Sequence, residues 1–389
     1  MIIDGSEEPV TEQPKEKKVE YLELIYDLIF VFIIGRNNLL LHHVDNGYVT
    51  GEMFLAYVFC TLAVIQIWSF TTFYINIYGR NGVRDYVFMF INMYLLYHMA
   101  DGISSDFNSA SLYRFNIAWA LILVNIAAQH LIELRNQKDA PWLSVQLKRR
   151  AAIIFAEAAL VGVNILVFSL TGTAIAYVPI VFGIVATILS GALSSMVPVD
   201  FPHLSERVML YVVFTFGEMI ISLSSYFSDE LTPSSIYFST MAFLIVVGLF
   251  LCYGTLYNRI IDRETVTNGT GYMMIHVFMI FALNNLSVAL EFMRDDGIDL
   301  LQKTVLLVGS FVLFFTFMFL TGRYAKHKCA FRGSFVVMLC AIAASFVALM
   351  FIFREMMYVN IAVSAVYVFA IFLLMLKQSS GGRKTLTGR

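Results

Sequence analysis

Glu23-Leu24-Ile25-Tyr26-Asp27-Leu28-Ile29-Phe30-Val31-Phe32-Ile33-Ile34-Gly35-Arg36 is an apolar run that carries three charges. The segment it belongs to, 21–43, is long enough to cross a hydrocarbon core about 30 Å thick. A charged side chain at the centre of a spanning helix costs roughly 2.5–3.5 kcal/mol on insertion scales, so such residues face a bundle interior or a watery path. Glu23 and Asp27 are four apart and share one helix face, about one turn from each other. Arg36 follows Asp27 by nine residues; at about 100° per residue it points to the other side and needs a partner on a different helix. A plainer reading makes Glu23 a capping residue at the helix start, but Arg36 lies too deep for that.

The rest of the chain repeats the apolar signal. Of its 389 residues, 59% are hydrophobic and 14% charged, which excludes an ordinary soluble domain and implies an all-α polytopic integral membrane protein. The first 20 residues are polar, with Pro9, Pro14, Lys15, Lys17 and Lys18 and no apolar core. No cleaved leader is therefore expected, and the first span is expected to direct insertion. The net charge of −2 and the lack of a basic, aromatic-rich patch argue against a nucleic-acid partner. Cys60, Cys252, Cys329 and Cys340 are far apart and read as small apolar fillers rather than a metal or redox site.

Twelve transmembrane helices are read near 21–43, 53–79, 85–102, 112–134, 149–171, 174–195, 205–226, 234–260, 271–293, 301–322, 330–353 and 355–377. Placing both termini in the cytoplasm puts nearly all of the 26 Lys and Arg residues on the cytoplasmic side. Only Arg114, Arg294, Lys303 and Arg354 fall outside, with Arg36 in the membrane, as the positive-inside rule expects. At a constant separation of 183 residues Glu23 matches Glu206, and Thr72, Tyr74, Ile77 and Arg80 match Thr255, Tyr257, Ile260 and Arg263. Two parallel six-helix halves would produce this local repeat. The chain then divides into a cytoplasmic tail (1–20), a first half (21–196), a linker (197–204) holding Pro198 and Pro202, a second half (205–378) and a Gly/Ser-containing cytoplasmic tail (379–389).

Further polar residues fall inside spans. Glu218 stands deep in the seventh, about 18 Å beyond Glu206, and is read as the midplane partner of Arg36. Glu206 and Arg207 read as the interfacial start of that helix. Glu157 and Asn164 lie on the fifth span, Asn92 and His98 on the third, and His276, Asn284, Asn285 and Glu291 on the ninth. Single polar residues of this kind usually bond a neighbouring helix, but together they indicate a polar interior. Glu23, Asp27, Arg36, Glu218, Asn284 and Asn285 are the candidates to line an ion or substrate pathway. His130 and Glu133 have the i, i+3 spacing of half a metal site without a second pair to complete it. No catalytic residue, metal or cofactor is expected, since no phosphate loop, zinc-protease motif or serine elbow occurs.

Glu23-Leu24-Ile25-Tyr26-Asp27 with the following Leu28 to Phe32, the stretch Trp68 to Tyr74, His203-Leu204-Ser205-Glu206-Arg207, and Phe216-Gly217-Glu218 resemble the motifs of the bacterial low temperature requirement protein A (LtrA) family. The resemblance covers nearly the whole chain. It implies a multi-pass protein of the bacterial cytoplasmic membrane, linked by name to growth in the cold. It also marks Glu23, Tyr26, Asp27, His203, Glu206, Arg207, Gly217 and Glu218 as motif residues. Arg36 departs from the pattern, where Gln is expected, as does Phe292, where His is common.

The leading expectation is a non-enzymatic secondary transporter or permease, proton-coupled, whose partners are the bilayer and a small-molecule or ion substrate. The alternative is a non-transporting structural or sensory membrane protein that supports growth in the cold. A transporter is expected to show a polar cavity reaching the midplane; a scaffold is expected to pair every intramembrane charge in a dry interior.

Overall fold

Each of the twelve apolar stretches holds one helix. The computed structural model describes residues 17–103, 109–137, 141–193, 199–227 and 232–380. Its helices are α1 (Tyr21–Asn37), α2 (Gly51–Tyr78), α3 (Val83–Asp101), α4 (Ser109–Glu133), α5 (Pro141–Thr171), α6 (Tyr177–Leu193), α7 (Phe201–Ser222), α8 (Pro233–Thr255), α9 (Thr270–Phe292), α10 (Leu300–Leu320), α11 (Gly333–Ile352) and α12 (Met357–Ser380). Among the described residues, ten are long and apolar enough to cross a membrane. The other two are α3, the least apolar, which carries Arg84, Asp85 and Asp101, and α6, which has 17 residues.

In a bilayer every backbone polar group must be satisfied within the chain, which is why these apolar stretches are helical. Their surroundings then differ with their composition. α11 is apolar all round yet buries only Phe335, Phe346 and Met350, as suits a helix facing lipid. α9 buries nearly every side chain from Met279 to Leu290, including Asn284, Asn285 and Ser287, and is the central helix of the bundle.

Helix neighbours recur along the chain. α1 packs on α2 and α3, α3 on α4, α4 on α5, α5 on α6, and α6 back on α2. α7 packs on α8 and α9, α9 on α10, α10 on α11, α11 on α12, and α12 back on α8. Between the two series α1 meets α7, α2 meets α7 and α9, and α6 meets α9.

Three local features differ from the sequence reading. A hairpin interrupts the helices between α1 and α2, pairing β1 (Val44–Asp45) with β2 (Tyr48–Val49). Asn46 and Gly47, with φ of 51° and 84°, form the Asn-Gly turn that suits a tight hairpin. The seventh helix begins at Phe201 rather than 205, because the Asp200 side chain accepts from His203 N at 3.1 Å and Pro202 sits in the first turn, where its missing N–H costs nothing. α12 runs through Ser380, past the expected tail boundary at 379. Pro198 and 381–389 lie outside the described residues.

The segment before α1 is pinned by Lys17. Its backbone N–H donates to Asp200 Oδ2 at 2.9 Å, and its ammonium donates to Ile75 O at 2.6 Å and Gly79 O at 2.8 Å. The ammonium thus sits at the carbonyl end of α2, where a cation is favoured, although burial holds it below the usual lysine range. Asp200 thereby ties the lead-in of α1 to the start of α7. Asp200→Ala is expected to lower stability in detergent by about 1–2 kcal/mol, the range of a lost N-cap, while Asp200→Asn, which keeps the capping oxygen, loses less. Thermal unfolding that does not distinguish Ala from wild type would contradict this account.

Candidate functional site: a buried charge cluster between α1 and α7

The i, i+4 pair on α1, Glu23 and Asp27, faces an i, i+4 pair on α7, His203 and Arg207. All four are buried, Asp27 and Arg207 with 0% exposure. Arg207 grips Asp27 with two bonds, Nη2 to Oδ1 at 2.9 Å and Nε to Oδ2 at 3.2 Å, the forked geometry that makes guanidinium–carboxylate contacts strong and directional. Its Nη1 lies 3.1 Å from Glu23 Oε2, and His203 Nε2 lies 3.3 Å from the same oxygen. Trp68 on α2 donates its indole N–H to Asp27 Oδ1 at 2.7 Å.

The surrounding groups fix the His203 tautomer. Asn76 accepts from Asp200 N through its Oδ1 at 3.1 Å and donates through Nδ2 to Asp200 O at 2.9 Å, which orients the amide. Nδ2 also faces His203 Nδ1 at 3.0 Å, so Nδ1 is the acceptor and the ring proton sits on Nε2, toward Glu23. On the other side Tyr26 shares a hydrogen bond with Thr71 at 3.0 Å and accepts from Asn92 at 3.3 Å, and Asn92 accepts from Asn125 at 2.8 Å. Tyr211 packs over Trp68 with ring centroids 4.4 Å apart. The cluster holds two carboxylates against one guanidinium. Glu23 Oε1 and the Tyr211 hydroxyl have no hydrogen-bond partner among the described residues.

Depth follows from helix rise. Asp27 and Arg207 each lie six residues into their helices, about 9 Å from the helix start at 1.5 Å per residue. The cluster therefore occupies the third of the bundle nearest the starts of α1 and α7.

Arg36 and Glu218 do not form the expected pair. Arg36 is in the last turn of α1, where the helix dipole suits a cation, and donates from Nη2 to Ile103 O at 3.2 Å. Glu218 is in the last turns of α7, not at the midplane, and its carboxyl lies against Gly35, in the space a Cβ there would fill. The two residues are level, but the missing side chain of Gly35, rather than a charge, receives Glu218. Glu206, one position before Arg207, is only half-buried and Gly217 is exposed, so neither belongs to the cluster. Asn284 and Asn285 are buried on α9, with Asn284 Nδ2 and Asn285 Oδ1 unpartnered among the described residues, away from the cluster.

Other polar residues are accounted for locally. Glu133 binds Arg84 at 2.5 Å and Arg80 at 3.6 Å, while His130 Nδ1 meets its own helix at Ile126 O, 2.8 Å away. They do not form half a metal site, and among the described residues no group of three His, Cys, Asp or Glu side chains is placed to hold a metal ion. Asn164 bonds Asn116 at 3.0 Å and Ile175 N at 2.6 Å; His98 is exposed.

At the opposite face of the bundle a cleft of about 1030 Å³ opens between the ends of α7, α9 and the starts of α8, α10 and α12. His42, Glu291, Arg294, Asp295, Lys303 and Glu355 give it a strongly charged wall. His42 Nε2 lies 3.1 Å from Glu291 Oε2.

Sequence reasoning placed Arg207 at the interface with water. The signal that places it correctly is the matching of two i, i+4 pairs of opposite character, Glu23/Asp27 and His203/Arg207. Removing one member of a buried pair typically costs about 3–5 kcal/mol. Arg207→Met, which strands both carboxylates, is expected to destabilise the solubilised protein more than Asp27→Asn, which leaves Arg207 to Glu23. The double variant is expected to be less damaged than the two losses together. Strictly additive shifts in thermal unfolding would contradict the coupling.

No curated protein matches the chain. The model of the bacterial low temperature requirement A protein (LtrA) family matches residues 18–373, a span that begins just ahead of Glu23 and includes His203, Arg207 and Glu218. The chain belongs to the LtrA family.

Proposed function

We propose that this protein is a secondary transporter of the bacterial cytoplasmic membrane, with twelve spans in two parallel six-helix halves and both termini in the cytoplasm. The observation that carries the proposal is the Arg207–Asp27 fork. It is a strong but breakable tie between the first helices of the two halves, confined to one side of the bundle. The recurring neighbour series of α1–α6 and α7–α12 supports the division, and the Lys/Arg asymmetry of the connecting segments supports the orientation.

With that orientation the charge cluster is on the cytoplasmic side and the charged cleft of about 1030 Å³ is on the outside. Two halves related by an axis along the membrane normal rock about their shared interface. Breaking the Arg207 contacts would open the inner side, and remaking them would close it. The cleft chemistry, with Asp295 and Glu355 exposed and Arg294 half-buried in its wall, suits a small polar or ionic solute.

The dryness of the cluster favours a second reading. The cleft does not touch Glu23, Asp27 or Arg207, and paired charges that never meet water would serve a non-transporting structural or sensory protein equally well. Reconstitution separates the two. Proteoliposomes holding the purified protein are expected to take up at least one member of a panel of inorganic ions, amino acids and sugars faster than empty vesicles. Arg207→Met is expected to reduce that uptake at least tenfold. Folded protein that moves no member of the panel, with or without a pH gradient, would overturn transport in favour of the scaffold.

A further inference from the structure

Glu157 is a buried carboxyl in the middle of its helix that the charge cluster does not use; unlike Glu133, which Arg84 and Arg80 hold, it has no ion pair among the described residues. It lies on α5 with 0% exposure. Its only hydrogen bond among the described residues is from Gln66 Nε2 on α2, at 3.2 Å to Oε2. Glu157 Oε1 and Gln66 Oε1 are both unpartnered there. Gly183 on α6 completes the enclosure, since a Cβ at that position would run into both the Gln66 amide and the Glu157 carboxyl. The absence of a side chain at 183 therefore makes room for this pair.

Among the described residues no cation forms an ion pair with the carboxyl. On its own helix the nearest basic residue is Arg150, seven residues earlier, about 10 Å along the axis, with its guanidinium over the Phe73 ring. On α4, His130 is held by Ile126 O and packs on Tyr74. α2 carries Glu52 at its start and Tyr57, Cys60, Tyr74 and Tyr78, none of them a cation, the described part of α6 only Tyr177, and α9 His276, which packs against Tyr253 and Tyr272. An uncompensated carboxylate in such a place is costly, whereas a carboxyl that holds a proton and hydrogen-bonds an amide is not.

Small cavities lie beside the site, on the Gln66 side. A mainly apolar cavity of about 20 Å³ has Gln66, Ser69 and Thr187 in its wall beside Leu62, Ile184 and Val277. A second, of about 30 Å³, shares Phe70 and Thr187 with the first and adds Ser190, His130 and Arg150. Each has room for about one water. Arg150 is only half-buried, and Lys148 and Arg149 beside it are exposed, so the second cavity lies next to the face that also holds the starts of α1 and α7.

We infer that Glu157 is an exchangeable proton-binding site, reached from the cytoplasmic side by way of its partner Gln66, which borders the first of two small cavities between α2, α5, α6 and α9. The proton arrives as hydronium. The carboxylate takes it to become the neutral acid and leaves a water; release reverses the step. The cytoplasmic sidedness rests on the orientation proposed above, while the proton site itself does not rest on transport.

Infrared difference spectroscopy of the protein in lipid nanodiscs, between acid and alkaline buffer, tests the inference directly. The wild type is expected to show a protonated-carboxyl C=O band in a hydrogen-bonded environment, lost in Glu157→Gln and moved in Gln66→Leu, which removes the amide donor. A band that survives intact in folded Glu157→Gln would overturn the site. Should that variant fail to purify, an unmoved band in Gln66→Leu would overturn it instead. Uptake by the same protein in vesicles reads separately: a Glu157 band without any solute flux sinks the transporter reading and leaves the proton site standing.

Discussion

The fork between Arg207 and Asp27 constrains everything around it. A guanidinium with 0% exposure inside a helical bundle has lost its water, and only matched acceptors at short range compensate. Asp27 supplies two and Glu23 another. The second carboxylate then needs its own partner, and His203, set one turn before Arg207, presents Nε2 to it. That in turn demands an acceptor role for His203 Nδ1, which Asn76 meets, and Asn76 is oriented by Asp200. The same Asp200 caps α7 and holds the backbone of Lys17. A single buried charge thus propagates through α1, α2, α7 and the segment before α1, fixing their relative height.

Away from the cluster α1 and α7 keep company by a different device. At Gly35 the absence of a side chain lets the Glu218 carboxyl lie against the α1 backbone, and no ion pair joins the helices at that level among the described residues. One end of the α1–α7 contact is therefore held by short, directional, charge-assisted bonds, and the other by shape. Directional bonds either exist or do not, whereas a packed contact tolerates small slides. This asymmetry is what supports the proposal that the cluster acts as a lock, with the charged cleft beyond α7 and α9 on the far side.

Much of the helix plan was legible because membrane insertion imposes a single strong rule: each apolar stretch must be a helix long enough to satisfy its own backbone. Glu23 and Asp27 were legible for the same reason, as charges in the wrong solvent. Arg207 was not, because its position near a helix start resembles the interfacial arginines that obey the positive-inside rule, and only the tertiary fold reveals that α1 covers it. The pairing of Arg36 with Glu218 failed on orientation: the two are level, but the Glu218 carboxyl enters the space left by Gly35 while Arg36 turns to Ile103 O. The Asn46-Gly47 hairpin carried a clear turn signal that the all-helical expectation passed over. The Gln66–Glu157 contact had none, since neither the spacing of two residues on separate helices nor the role of Gly183 is visible without the packing.

The central proposal is that the Arg207–Asp27 fork joins two separately assembling six-helix units. Expressing residues 1–196 and 197–389 as separate chains in one cell, and measuring how much of the first co-purifies with an affinity tag on the second, tests it most directly. The account predicts that the two chains co-purify in near-equal amounts, that Arg207→Met in the second abolishes most of this recovery, and that Asp27→Asn in the first weakens it less. Equal recovery with and without Arg207, from chains that insert and accumulate normally, would contradict it.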